Sequence, residues 1–90
     1  AARPGAQAIA PGPGRVAFAG PYRGFGQIAI IDHGDGWTSL VTGLARLDVR
    51  VGQNLVAGSP LGRAGPGRPV IGLELRREGE PVNPLDFAKL

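Results

Sequence analysis

Residues 27–44 read Gln27-Ile28-Ala29-Ile30-Ile31-Asp32-His33-Gly34-Asp35-Gly36-Trp37-Thr38-Ser39-Leu40-Val41-Thr42-Gly43-Leu44. A β-rich apolar run enters, His33-Gly34-Asp35-Gly36 turns it, and a second β-type run leaves. Gly34 and Gly36 accept the positive φ that a tight hairpin turn needs. This stretch predicts a central β-hairpin, and the rest of the chain is arranged around it.

On its N-terminal side, 1–14 is rich in Pro, Gly and Ala, with Ile9 as its only large apolar residue. It reads as an extended lead-in with one short strand near 7–10. Pro11 and Pro13 forbid a central strand there. Arg15-Val16-Ala17-Phe18-Ala19 alternates, which predicts a strand with Val16 and Phe18 on one face. Residues 20–26 read as a loop into the hairpin. On the C-terminal side, 45–48 reads as a polar connection, and 49–58 as two short strands around a glycine turn. Leu61-Gly62-Arg63-Ala64 reads as another strand, and 65–69 as an irregular loop. Val70-Ile71-Gly72-Leu73-Glu74-Leu75-Arg76-Arg77 is a strong strand. Its period of two puts Ile71, Leu73 and Leu75 on one face and Val70, Gly72, Glu74 and Arg76 on the other. Asn83 as N-cap and Pro84 at the first helical position predict a short helical end over 85–89. The expected fold is mainly β, a sandwich or half-barrel of short antiparallel strands with a C-terminal helical turn.

Ninety residues make one domain, here 1–90. Glycine (16) and proline (9) are abundant, yet 42% of the chain is apolar, which favours dense turns over disorder. Cysteine is absent, so disulfides and thiolate metal sites are excluded. No run reaches the ~18 apolar residues of a membrane span. The net charge of +3 comes from scattered arginines. No basic block, aromatic platform or RNA-binding signature accompanies them, so they read as a solvated surface and not as a nucleic-acid site.

Chemistry is sparse. A catalytic zinc needs three protein ligands and an open position. The chain has one histidine, so zinc would require carboxylates such as Asp48 or Glu74. A lone histidine at a hairpin turn reads first as a structural hydrogen-bonding residue. Ser59 sits in a turn and not in a nucleophile elbow. A Ser39–His33 pair lacks an orienting acid. Residues 62–67 lack the lysine and helix of a phosphate loop. These residues favour a binding module over an enzyme, with no cofactor and no catalytic residue.

The order of motifs resembles a LytM-type domain of the M23 zinc metallopeptidases, which cut peptide cross-links in bacterial cell walls. The resemblance covers about residues 7–87. It rests on Gly14-Arg15-Val16-Ala17-Phe18-Ala19-Gly20, Gly24-Phe25-Gly26-Gln27, Ile30-Ile31-Asp32-His33-Gly34, Val49-Arg50-Val51-Gly52-Gln53, 56–62 and 73–84. Active members carry Tyr-x-His-Leu where this chain has Val41-Thr42-Gly43-Leu44. They carry His-x-His-Phe-Glu where it has Val70-Ile71-Gly72-Leu73-Glu74. The resemblance therefore implies that Gly43 and Val70 replace catalytic histidines and that Gly72 replaces a zinc ligand. The other two ligands, a His and an Asp, would fall before Ala1, and His33 matches a scaffold histidine. Such degenerate domains resemble the EnvC-like murein hydrolase activators, with 67–69 and 73–79 closest to that subgroup. This implies a non-catalytic partner of a periplasmic N-acetylmuramoyl-L-alanine amidase, acting on septal peptidoglycan during division. It also implies a coiled coil elsewhere in a longer protein, reaching the division machinery. The expected partner groove is metal-free and built from Val41, Gly43, Arg68, Val70, Gly72, Glu74 and Arg76. Arg76 either forks to a partner carboxylate or pairs on the surface with Glu78 or Glu80. Competing readings are a peptidoglycan-binding module, an M23 zinc endopeptidase with ligands outside this chain, and a biotinyl/lipoyl-like carrier. The carrier reading lacks a modifiable lysine at a hairpin tip, since the sole lysine is Lys89.

Overall fold

The structure, a computed structural model, describes residues 5–66, 70–78 and 80–82. The hairpin at its centre pairs β3 (Gly26–Gly34) with β4 (Trp37–Leu47), antiparallel. Asp35 and Gly36 form the two-residue loop, with φ of 53° and 80°. Positive φ at both central positions is the mark of a type I′ turn, whose twist matches that of paired strands. The Asp32 carboxylate accepts from the Gly34 amide at 2.9 Å and braces the turn.

Strands add on both sides of this pair. β2 (Gly14–Tyr22) joins β3, and the two-residue β5 (Asn54–Leu55) joins β2. β4 serves two neighbours. Its first half pairs with β7 (Gly72–Arg77), which pairs with β8 (Glu80–Val82). Its second half pairs with β6 (Pro60–Ala64), which carries β1 (Gln7–Ile9) at the edge. The result is one curled antiparallel sheet, a half-barrel, as the strand pattern predicts. Among the described residues there is no helix. The helical end expected over 85–89, with Asn83 and Pro84, lies outside them.

One face of the curl is the core. Val16, Ala29, Ile31, Val41, Leu44, Leu55 and Leu61 are buried there, with Ile31 and Leu61 fully enclosed. Three local readings are corrected by the pairing. The stretch 45–47 is not a connection but the end of β4, because a bulge after Leu44 turns the strand onto β6. Residues 49–53 form no strand. The Gly52 amide donates to the Val16 carbonyl and the Val16 amide to that of Gln53, so a turn, not a ladder, seals this edge of β2. Finally, the ladder slips at Ala17, pairing Val16 with Ile31 but Phe18 with Ile30. This bulge sends Phe18 to the face opposite Val16, since one extra residue inverts a period of two.

Candidate functional site

Residues of β3 and β4 that alternate with the core set form the floor of a groove on the other face. Ile28 and Ile30 come from β3, and Leu40 and Thr42 from β4. Ile28-Ala29-Ile30-Ile31 is apolar at every position, which is the pattern of a strand covered on both faces. Its second face is the groove, with a volume of about 410 Å³. Tyr22 and Phe25 stand at the rim, 58% and 53% exposed, with ring centroids 5.8 Å apart. Tyr22 ends β2, which runs three residues further than 15–19, so the expected loop is shorter. Phe25 follows in a tight turn closed by its amide on the Tyr22 carbonyl at 2.9 Å.

The opposite wall comes from β7. Glu74 and Arg76 both face the groove, as the period of two predicts. They also meet each other. Arg76 Nη2 donates to Glu74 Oε2 at 3.2 Å, and Nε lies 3.2 Å from Oε1. The Nε contact is out of line for a hydrogen bond, and this buried N–H finds no other acceptor among the described residues. The pair therefore cancels its charge within the wall while part of its bonding capacity stays unmet. The partner of Arg76 here is Glu74, and not Glu78.

The other expected groove residues are placed differently. Val41 is 4% exposed and packs in the core, because it pairs with Ala29 on the inward register. Thr42 is the residue of that segment which lines the groove. Gly72 pairs with Thr42 at the end of the groove. Gly43 sits in a bulge with φ of 80°, its amide donating to the Phe25 carbonyl at 2.8 Å. Val70 is 69% exposed and precedes β7. Arg68 lies outside the described residues. Of the expected groove residues, the structure brings Glu74 and Arg76 together here, beside Tyr22, Phe25, Ile28, Ile30, Leu40 and Thr42, which the sequence reading did not name. The continuous apolar run in β3 was the available signal for Ile28 and Ile30.

His33 lies away from this groove, in a separate cleft with Pro11, Trp37 and Leu75. Its Nδ1 is 2.6 Å from the Pro13 carbonyl, and its Nε2 is 2.7 Å from Ser39 Oγ. A carbonyl only accepts, so Nδ1 carries the proton and Nε2 accepts from the Ser39 hydroxyl. Ser39 is 1% exposed and spends its hydrogen on the imidazole. This is a part-buried brace that ties the β1–β2 connection to β4.

A zinc ion of the kind the resemblance implies does not fit the donors here. Among the described residues no three His, Cys, Asp or Glu side chains gather. The acid in the groove is engaged by Arg76, and both imidazole nitrogens are committed elsewhere.

Residues 1–84 match the protein family described as peptidase family M23. The chain is similar to the murein hydrolase activator EnvC of Escherichia coli, 37% identical over 75 residues, or 79% of this chain and 18% of EnvC. It is also similar to the lipoprotein NlpD/LppB homolog of Pseudomonas aeruginosa, 36% identical over 87 residues, or 92% of this chain and 29% of that protein. Among solved structures, a mutant catalytic domain of the prophage-encoded M23 protein EnpA from Enterococcus faecalis aligns with a TM-score of 0.80. That likeness is at 27% identity, over 93% of this chain and 71% of that one. The chain spans less than a third of either curated relative. The likeness thus extends to an activator, a lipoprotein and a catalytic domain.

Proposed function

This chain belongs to peptidase family M23, and from that premise we propose that it is a non-catalytic activator of a periplasmic peptidoglycan amidase. The observation that carries this reading is the groove itself. Its floor is apolar, its rim is aromatic, its one polar wall is a self-neutralised Glu74–Arg76 pair, and its donors do not make a metal site. Such a surface suits an apolar segment of a protein partner better than it suits hydrolysis. Its similarity to EnvC, named as a murein hydrolase activator, supports the same direction.

In this reading an amidase lays the apolar face of a helical segment on Ile28, Ile30 and Leu40, between Phe25 and β7. Arg76 meets a carboxylate of that segment as a charge-assisted, forked donor. The outer edge of its guanidinium, Nη1, meets no acceptor among the described residues. Glu74 keeps the guanidinium flat against the wall. Docking activates the amidase only if the open enzyme binds the groove better than the closed one. Gly43, Val70 and Gly72 shape the end of the groove, and Arg68, beside it in sequence, steers the approach. Peptidoglycan is the amidase's substrate in this scheme, and the setting is the periplasm at the division site. The longer protein's other segments, a coiled coil among them, would recruit the domain to the division machinery. No helix among the described residues is long and apolar enough to cross a membrane.

The test is amidase stimulation on purified sacculi with Arg76→Ala and Gly72→Trp, each checked for native circular dichroism. Both should lose stimulation; unchanged stimulation in both removes the groove from the mechanism. A second reading, a zinc endopeptidase with ligands outside this chain, is favoured by the similarity to the EnpA catalytic domain. Release of soluble wall fragments by a longer form of the protein alone, abolished by a chelator, would establish it instead.

A further inference from the structure

Gly72 leaves one hydroxyl uncovered in the groove. A Cβ there would meet Thr42 Oγ1 at 2.6 Å, with the next atom, Thr42 Cβ, at 4.0 Å. A side chain at 72 would thus press on that hydroxyl and on little else. Thr42 is half-buried in the groove lining, and its hydroxyl has no hydrogen-bond partner among the described residues. It is not sealed off either, since Arg76 Nε is the one buried side-chain polar atom left unpaired among them. In the open groove solvent therefore reaches Thr42 Oγ1. An apolar segment laid over it would strip that solvent, and an unmatched hydroxyl then costs about 5- to 10-fold in affinity. The hydroxyl selects against a wholly apolar occupant, as an unpaired polar group does at a discriminating interface.

The β7 wall supplies the other free polar group. Thr42 lies opposite Gly72, Leu40 opposite Glu74 and Thr38 opposite Arg76. Arg76 thus stands four strand residues beyond Gly72, ~13 Å at the rise of a strand. Glu74 takes the inner edge of its guanidinium and leaves the outer edge free. Leu40, paired with Ile30, fills the interval with apolar surface. On an α-helix, side chains about seven or eight residues apart share a face at ~10–12 Å, and the long arginine side chain spans the remainder. We infer that Thr42 is a specificity-determining residue and that the occupant carries a fixed pattern along one helix face. A carboxylate meets Arg76, a hydrogen-bonding side chain about seven or eight residues away meets Thr42, and apolar residues lie between them. Gly72 is the positioning residue that keeps the hydroxyl uncovered. This inference rests on the reading above and adds a register to it.

The test joins thermal melting to stimulation, on purified sacculi, of a periplasmic amidase that the wild-type domain activates. Thr42→Val keeps the shape and removes the hydroxyl. It should melt within about 4 °C of wild type, because the hydroxyl binds nothing inside the domain. It should nevertheless need about 5- to 10-fold more domain for half-maximal stimulation. Thr42→Ser, which keeps the hydroxyl, should recover most of that loss. Gly72→Ala should show a similar loss, and add none in a Thr42→Ala background. On the amidase, an apolar replacement of the polar residue about seven or eight positions from the carboxylate that meets Arg76 should restore binding to Thr42→Val. A pair replaced by apolar groups on both sides is nearly neutral. If Thr42→Val stimulates like wild type while Arg76→Ala does not, the role of the hydroxyl is overturned and the groove reading stands. A Thr42→Val melting temperature more than about 4 °C below wild type also overturns it, by showing that the hydroxyl is paired within the fold. Unchanged stimulation in Thr42→Val, Arg76→Ala and Gly72→Trp together removes the groove itself.

Discussion

Ser39 is the one buried polar side chain among the described residues, and its position is explained by His33. The imidazole bridges a carbonyl on one side and a hydroxyl on the other, joining segments far apart in sequence. Ser39→Ala removes the donor to Nε2 and leaves a part-buried acceptor unmatched. We expect a loss of about 1–3 kcal/mol in urea unfolding. Ser39→Thr, which keeps the hydroxyl, should recover part of it; equal losses would show that shape, not the hydrogen bond, matters. Arg76 obeys a different logic. Its side chain and that of Glu74 are each more than a third exposed, so screening keeps their pairing weak as a source of stability. Arg76→Ala should therefore leave the urea midpoint nearly unchanged while abolishing amidase stimulation. Arg76→Lys should restore little, because an ammonium has no planar fork.

Among the elements, the β3–β4 hairpin sets the register of the sheet. Its loop demands positive φ at two successive residues, and Gly36 also packs against β7's exit. An added Cβ there would meet Glu78 Cγ at 2.7 Å, while the Glu78 amide donates to the Gly36 carbonyl at 2.7 Å. Gly36→Ala should cost about 1–2 kcal/mol from the backbone alone. The side-chain contact adds less, since Glu78 can swing away into solvent. Thermal melts of Gly36→Ala with and without Glu78→Ala would separate the two; complete rescue by Glu78→Ala would contradict the backbone origin. The bulges are equally consequential. Were Ala17 to pair in a regular ladder instead of bulging, Phe18 would share the core face of Val16. Without the bulge near Gly43, Leu44 would leave the core.

The whole molecule divides one sheet between two faces. The core side carries the stability: Ile31 is fully enclosed, and Ile31→Ala should cost about 2–5 kcal/mol. The groove side is apolar but open. A protein stabilised by a bound ion loses that stabilisation when the ion is removed. Among the described residues the donors for one do not gather, so dialysis against EDTA should leave the melting temperature unchanged. A drop reversed by added zinc would mean that metal contributes to the fold.

Much of this architecture was legible in the sequence. The central hairpin, strands overlapping those expected near 7–10, at 61–64 and at 70–77, and the two faces of β7 follow from period-two patterning and from glycine and proline placement. These are local properties, written within a few residues, and Glu74 and Arg76 were accessible for that reason. What the pattern did not contain was the register. Three single-residue slips, at Ala17, near Gly43 and after Leu44, set which face or neighbour each following residue meets, and only the one at Gly43 has a local mark, a glycine inside a strand pattern. They place Phe18 opposite Val16 and carry β4 onto β6. The inward setting of Val41 likewise depends on its partner Ala29. Composition and spacing determined a mainly β domain of short antiparallel strands, and the order of its motifs carried the resemblance to this family. Only the tertiary structure decided that the Val70 backbone lies against Gly43, because a contact between β4 and Val70 exists only once distant strands are brought together.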